Sequence, residues 1–410
     1  MSKPKMLAPI RYFDSLHAAI DAKADSIYFG IDKLNMRRLA SHNFTIDDLE
    51  KIAKICSDSG IDSYLTLNAI IYDEEIDELH KIIDAAKKSD ISAIIAHDIA
   101  TISYARKIGM KIHISTQANV SNIEAVRFYS KFTDVIVLAR ELKLEQIENI
   151  VKTIEKENIK GPSGELVKIE IFVHGALCSA ISGKCFMSLD KYNKSANRGE
   201  CLQSCRRRYR VIEEETGKEL IIDNNYIMSS KDLCTISHID KLINAGVKIF
   251  KIEGRARSAE YVSTTVKCYK EAVDSVYEKT YSKEKIDYWI KELSKVYNRG
   301  FWHGGYYLGD QIDIWSSSHG SVATEKKTYI GKATNYFSKI SVGEFLLHSH
   351  QIKTGDEILI IGPTTGVIKT KVKSLYTDKE VDIAMKGEKI ALKLDKKVRK
   401  NDKLYLVEKA

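Results

Sequence analysis

Short apolar runs rich in β-branched residues alternate with amphipathic stretches through the first 255 residues. The runs fall at residues 6–10, 26–30, 63–68, 93–98, 111–116, 134–139, 169–174, 226–230 and 248–254. Between them the period changes. In residues 45–59, Ile46, Leu49, Ile52, Ala53 and Cys56 recur at spacings of three and four, which is one face of a helix. Several of these helices stop at a glycine just before the next run, as at Ser59-Gly60, Ile108-Gly109 and Ala245-Gly246, where a left-handed residue ends a helix. Repeated strand–helix alternation predicts parallel βαβ units. Nine runs fit an α/β fold of the TIM-like (β/α)8 barrel type with one run to spare. A doubly wound open sheet is the alternative.

The rhythm breaks at residues 175–225, a Gly-, Ser-, Asn- and Cys-rich insertion that ends in a predicted hairpin (209–213 with 219–222) turned at Thr216-Gly217. Long loops in compact domains usually carry function. Residues 259–298 read as helices, followed by the aromatic, glycine-rich stretch 298–306. From about residue 328 short alternating strands and turns predict a small all-β barrel. The expected organisation is a barrel over 1–258, a helical and aromatic connector over 259–327, and a β-module over 328–410. That module is similar in pattern to the small barrels of elongation factors, an analogy of fold alone.

Charge sharpens the picture at one end only. The chain holds 64 Lys+Arg against 56 Asp+Glu, net +8, and residues 331–410 hold 16 against 10, so 16 − 10 = +6 lies in the last fifth. A basic module suits an anionic partner such as nucleic acid; a solvated lysine-rich surface is the plain alternative. No stretch reaches the ~20 apolar residues of a membrane span, and the N-terminal residues lack the apolar core of a secretory signal. Seven cysteines cannot all pair internally. A cytoplasmic chain with free thiols is expected.

If the fold is a barrel, chemistry belongs where strands end. The residues there are polar: Asn68, His97, Asp98, Ser115, Gln117, Asn119, Arg140, Glu141, His174, Ser229, Asp232, Glu253 and Arg255. Close by, Cys178, Cys185, Cys201, Cys205 and Cys234 crowd into one segment. Grouped thiols can hold zinc or an iron–sulfur cluster. No Cys-x-x-Cys pair occurs, which disfavours a zinc ribbon, while a cluster accepts ligands from separate loops; packing as small apolar groups is the bland reading. Cys56 and Cys268 lie on apolar helix faces and read as core.

The segments Glu170-Ile-Phe-Val-His-Gly-Ala-Leu-Cys178, Ser182-Gly-Lys-Cys185, Asn197-Arg-Gly-Glu-Cys201-Leu-Gln-Ser-Cys205-Arg206, Ser230-Lys-Asp-Leu-Cys234, Lys251-Ile-Glu-Gly-Arg255 and Asn298-Arg-Gly-Phe301 together resemble the signature of the collagenase-like peptidase family U32, over roughly residues 4–310. Better understood members of that family are hydroxylation proteins acting on the tRNA wobble uridine, on a ribosomal-RNA cytidine, or on the ubiquinone ring without oxygen. The resemblance implies a [4Fe–4S] cluster on Cys178, Cys185, Cys201 and Cys234, with Cys205 as a neighbour or replacement ligand, and prephenate as hydroxyl source. Length and the β-module resemble the tRNA-acting branch, so the expected product is 5-hydroxyuridine in tRNA, made with an electron-transfer partner.

A peptidase is the alternative, and a non-catalytic RNA-binding protein with a structural cluster is a third reading. No His-Glu-x-x-His helix or Gly-x-Ser-x-Gly elbow occurs; a thiol–base pair of Cys178 and His174 can be drawn. For RNA, Arg206, Arg207, Arg208 and Arg210 offer a phosphate track. Glu170, Phe172 and His174 alternate along one strand face, which would bring His174 beside the cysteine loop. His174 and Glu253 are the expected proton-handling groups, and Arg255 the donor to a carboxylate or phosphate.

Overall fold

All but one of the predicted apolar runs lie in a single closed sheet. A computed structural model of the chain describes residues 2–39, 43–181, 183–220, 228–304, 307, 315–318 and 320–410. In chain order the strands are β1 (Lys5–Pro9), β2 (Ser26–Phe29), β3 (Asp62–Leu67), β4 (Ala93–Ala96), β5 (Ile112–Ile114), β6 (Val135–Val137), β7 (Lys168–Ala176), the hairpin β8 (Val211–Ile212) and β9 (Glu219–Leu220), β10 (Asp232–Cys234) and β11 (Ile249–Ile252). Strands β1 to β7 pair in sequence, all parallel, and β11 pairs with both β7 and β1 to close an eight-stranded (β/α) barrel.

The period-2 pattern separates two environments. Leu7, Tyr28, Tyr64, Ile95, Val135 and Ile249 pack together inside the ring. Their neighbours Met6, Ala8, Ile27, Phe29, Leu65 and Ile94 join the larger core under the helices. The helix Leu144–Lys156 shows the matching 3.6 period, burying Ile147, Ile150, Val151 and Ile154. Cys56 and Cys268 are buried on helix faces.

The spare run is placed differently from expectation. Residues 226 and 227 lie outside the described residues, and Ser230 makes only an isolated bridge to Trp315. The additional strand is β10, which runs antiparallel to β7 outside the ring, with Cys234 opposite His174. The strand follows the cysteine-rich insertion and pairs antiparallel, a connection that needs no crossover helix. The predicted hairpin is present as β8 and β9.

After the helices Ala259–Tyr277 and Lys283–Lys295 come β12 (Phe301–Trp302), β13 (Glu325–Phe337), β14 (Val342–Leu347), β15 (Ile352–Lys353), β16 (Glu357–Gly362), β17 (Gly366–Lys371), β18 (Ile383–Ala384), β19 (Lys389–Lys393) and β20 (Lys403–Lys409). The C-terminal β-structure is an antiparallel sheet in the order β17-β16-β20-β13-β14-β19, with β15 and β18 paired separately. It has its own core, including Ile330, Phe345, Ile360, Ile390 and Leu404. Leu359 and Ile361 of β16 pack on Ala18 of helix Phe13–Asp21 and on Ala259. Lys396 pairs with Asp21 and Lys327 with Glu260 across the same seam. No helix among the described residues is long and apolar enough to cross a membrane.

Candidate functional site

At the C-terminal end of the barrel strands lies a cavity of about 170 Å3, walled below by strand ends and above by the cysteine-rich loop. Local chemistry fixes where that loop leaves the barrel. Gly175 in β7 has φ +105°, and a Cβ there would stand 2.3 Å from the Glu253 carbonyl oxygen, so only glycine lets the two strand ends approach. Further along, Gly199 has φ +80° and lies against the Asn35 carbonyl. Arg198 ties the loop to the barrel top: its guanidinium pairs with Glu75, donates to the Ile70 carbonyl at 3.0 Å and stacks 4.0 Å over Tyr72.

Four of the five grouped cysteines face this cavity: Cys178, Cys185, Cys201 and Cys205. Cys178 is exposed and the other three half-buried. Burial pushes the Cys205 thiol up, opposed by a hydrogen bond with Ser179 and by the Arg206 charge. Cys234, placed in the ligand set by the resemblance, is elsewhere. It is fully buried in the apolar core, and the Tyr269 hydroxyl lies 3.8 Å from its sulfur. Burial pushes its thiol up to about 11. The antiparallel register of β10 turns it into the core, and Cys205 takes the place on the cavity wall. Among the described residues no three His, Cys, Asp or Glu side chains converge to metal-ligating distance.

His174 also departs from expectation. The β7–β11 register shifts at Lys251/Ile252, so that Lys251 faces Phe172 while Ile252 faces His174. This bulge adds one residue and breaks the alternation that linked His174 to Glu170 and Phe172. Its ring therefore sits outside the ring of strands, among Tyr261, Tyr269 and Phe301, with Nδ1 3.4 Å from the Tyr269 hydroxyl. It is 1% exposed, and burial pushes it down to about 3. A Cys178–His174 pair is not formed across this arrangement.

Glu253 and Arg255 do line the cavity. Burial pushes the Glu253 carboxyl up, but Arg37, Arg257 and Arg140 outweigh it and hold the group below the ordinary carboxylate range. Arg37 Nη2 lies 3.2 Å from its Oε1. Arg255 is buried and donates to Thr66 Oγ1 at 2.5 Å; burial lowers it to about 10. Of the arginines expected to track phosphates, Arg206 points inward, donating to the carbonyls of Leu177 at 2.6 Å and Ser230. It braces the loop against the approach to β10. Arg207, Arg208 and Arg210 are exposed, with Arg207 5.1 Å over the Tyr192 ring.

Sequence reasoning did not single out Arg37 or Lys251, and it placed Arg140 only among the polar strand ends. Arg140 stacks 4.6 Å over Phe172, donates to the Ala176 carbonyl at 3.0 Å, and keeps Nε and Nη2 buried without a partner. Arg37 follows β2, far along the chain from the cysteines, and only folding joins it to Glu253. Counting the described lining residues, seven cations (Arg37, Arg140, Arg206, Lys251, Arg255, Arg257, Arg299) stand against the carboxylate of Glu253. Soft thiol donors beside surplus positive charge fit an anionic iron–sulfur cluster, and unpaired guanidinium donors fit an anionic ligand.

The pattern of peptidase family U32 matches residues 11–317. A collagenase of Porphyromonas gingivalis is 53% identical over 406 residues, covering 99% of this chain and 98% of its own length. An uncharacterized protease of Methanocaldococcus jannaschii is 40% identical, covering 98% of each chain. A protein of Bacillus subtilis named tRNA hydroxylation protein P1 is 29% identical, covering 97% of this chain and 93% of that protein. With the family pattern spanning most of its length, the chain belongs to peptidase family U32.

Proposed function

We propose that this chain is an RNA hydroxylation enzyme of the cytoplasm, forming 5-hydroxyuridine at the wobble position of tRNA. The observation that carries the reading is the set of four thiols, Cys178, Cys185, Cys201 and Cys205, on the wall of one cation-rich cavity at the chemically active end of the barrel. These four would hold a [4Fe–4S] cluster, with Cys205 in place of Cys234. When bound, the cluster supplies one-electron chemistry to the cavity, drawing on an electron-transfer partner. Arg140 and Arg255 bind the carboxylates of an acid such as prephenate, the hydroxyl source. Glu253, held ionised, orients Arg37 at the cavity edge. Arg207, Arg208 and Arg210 meet RNA phosphates on the exterior. The relative named for tRNA hydroxylation spans nearly the whole chain, which supports tRNA as the RNA.

Peptide hydrolysis is the second reading, favoured by the protease names of the relatives at 53% and 40% identity. The burial of His174 away from Cys178 takes from that reading the base the sequence suggested for the thiol.

One experiment weighs the two. Anaerobically purified protein is expected to hold iron and acid-labile sulfide. Cys178→Ser, Cys185→Ser, Cys201→Ser and Cys205→Ser should each lower the iron content at least severalfold, while Cys234→Ser retains it. Nucleoside analysis of tRNA from a deletion strain should show loss of 5-hydroxyuridine derivatives. Unchanged nucleosides, together with gelatin cleavage by cluster-free protein, would favour the peptidase.

A further inference from the structure

Three polar side chains inside the barrel form a row, of which Lys251 reaches the cavity described above. Lys251 Nζ donates to Glu170 Oε1 at 2.7 Å, with both residues buried. On the far side of the same carboxylate, Glu170 Oε2 stands 4.0 Å from His113 Nδ1, and both atoms are buried without a hydrogen-bond partner. An unsatisfied buried polar atom is costly, and the barrel interior around these is otherwise filled by Leu7, Ile95, Val135 and Ile249. The ends of the row open on opposite faces. Lys251 lines the thiol-bearing cavity. His113 lines a separate cavity of about 780 Å3 at the N-terminal end of the strands, where Lys5, Lys111, Lys168 and Lys248 stand at the mouth. Aromatic rings insulate the row: Tyr28 and Phe172 lie 4.6 and 5.4 Å from the Lys251 ammonium, and Tyr64 lies 4.4 Å from the His113 ring.

We propose that Lys251, Glu170 and His113 form a proton path along the barrel axis, joining the cavity at the C-terminal face to solvent at the N-terminal mouth. In the outward direction the Lys251 ammonium passes a proton to the Glu170 carboxylate at Oε1, and a proton released in the cavity then adds to the freed amine. The carboxylic acid so formed turns its proton toward the imidazole and gives it up to His113 Nδ1, which restores the carboxylate. The imidazolium then loses a proton from its second ring nitrogen to water at the mouth. Each bond to hydrogen that forms is matched by one that breaks, and no electrons move. The 4.0 Å step is within the span of one bridging water. Burial and the charge of Lys251, with Lys5, Lys111 and Lys168 beyond, push His113 down to about 3, so it returns a proton promptly rather than storing it. The path is independent of which substrate the cavity accepts.

Infrared spectroscopy of the full-length protein tests it without any activity assay. Lys251→Met removes the counter-cation and plugs the upper end, so the buried Glu170 carboxyl takes up a proton. A carboxylic-acid carbonyl band is expected that is absent from the double variant K251M/E170Q. On transfer to deuterated water that band should shift within the mixing time. Adding His113→Phe should slow the shift by roughly 100-fold or more, because exchange then waits on local opening. Equal exchange rates with and without His113, or no carboxylic band in K251M, would overturn the proposal. Thermal melts establish that each variant is folded. Lys251→Gln, which keeps a donor to Glu170, replaces K251M if the latter does not fold.

Discussion

Lowering the pH from 7 to 5 is expected to remove about 6 kcal/mol of folding stability, about 2 kcal/mol for each of three buried histidines. Burial holds His113 and His174 down to about 3 and His238 down to about 4. The folded protein therefore keeps all three neutral at pH 5, whereas the unfolded chain binds protons on them below its ordinary value of 6.5. The unfolded state binds more protons through this window, so stability rises with pH. It is fully present above about 6.5 and drains away as the pH falls toward 4. The size of the loss between 7 and 5 depends on the unfolded value, because the folded values already lie below 5. Urea denaturation at a series of pH values reads the slope, which should approach three protons taken up on unfolding near pH 5. His238→Gln should reduce the slope by about one proton. A slope below one proton would mean that these rings are hydrated in the native state.

Removing Glu170 while keeping Lys251 is expected to cost about 3–5 kcal/mol, since breaking a buried pair strands the remaining charge. In Glu170→Leu the ammonium of Lys251 stays between the Tyr28 and Phe172 rings and loses the carboxylate it is bonded to. The double variant E170L/K251M replaces both charges by apolar groups of similar volume and should be near neutral or stabilised. A double-mutant cycle from chemical denaturation then returns a coupling energy of several kcal/mol. Additive losses below about 1 kcal/mol would show that the pair is solvated.

The barrel was legible because a strand covered on both faces needs a continuous apolar run, and eight such runs survive in this chain. The ninth failed at a three-residue strand, too short to show a period, whose antiparallel direction depends on where the insertion returns. Residues that line the cavity were legible where a motif names them and where strand alternation holds. At His174 alternation fails, because a single extra residue in β7 reverses the direction of every side chain beyond it, and nothing in the local sequence marks that bulge. Cys205 and Cys234 could not be ranked by spacing; one stays on the loop and the other enters the core with β10. Arg37 carries no motif and reaches Glu253 only through the pairing of distant strands. Lys251 opens the Lys251-Ile-Glu-Gly-Arg255 motif, yet a lysine within an apolar run reads as a strand end, and only closure of the ring puts it indoors.

The seam between the C-terminal sheet and the barrel bears on how the ring stays shut. Strands β1 and β11 meet although Lys5 and Ile249 lie at opposite ends of the barrel sequence, and closing so long a loop carries the largest entropic cost in the ring. The helices that follow these two strands are the ones the sheet grips, through Ala18 and Ala259 against Leu359 and Ile361, with one ion pair to each helix. The sheet is thus a buckle fastened across the join. Strain that pulled the first and last staves of the barrel apart would have to undo the buckle before the hoop could spring open.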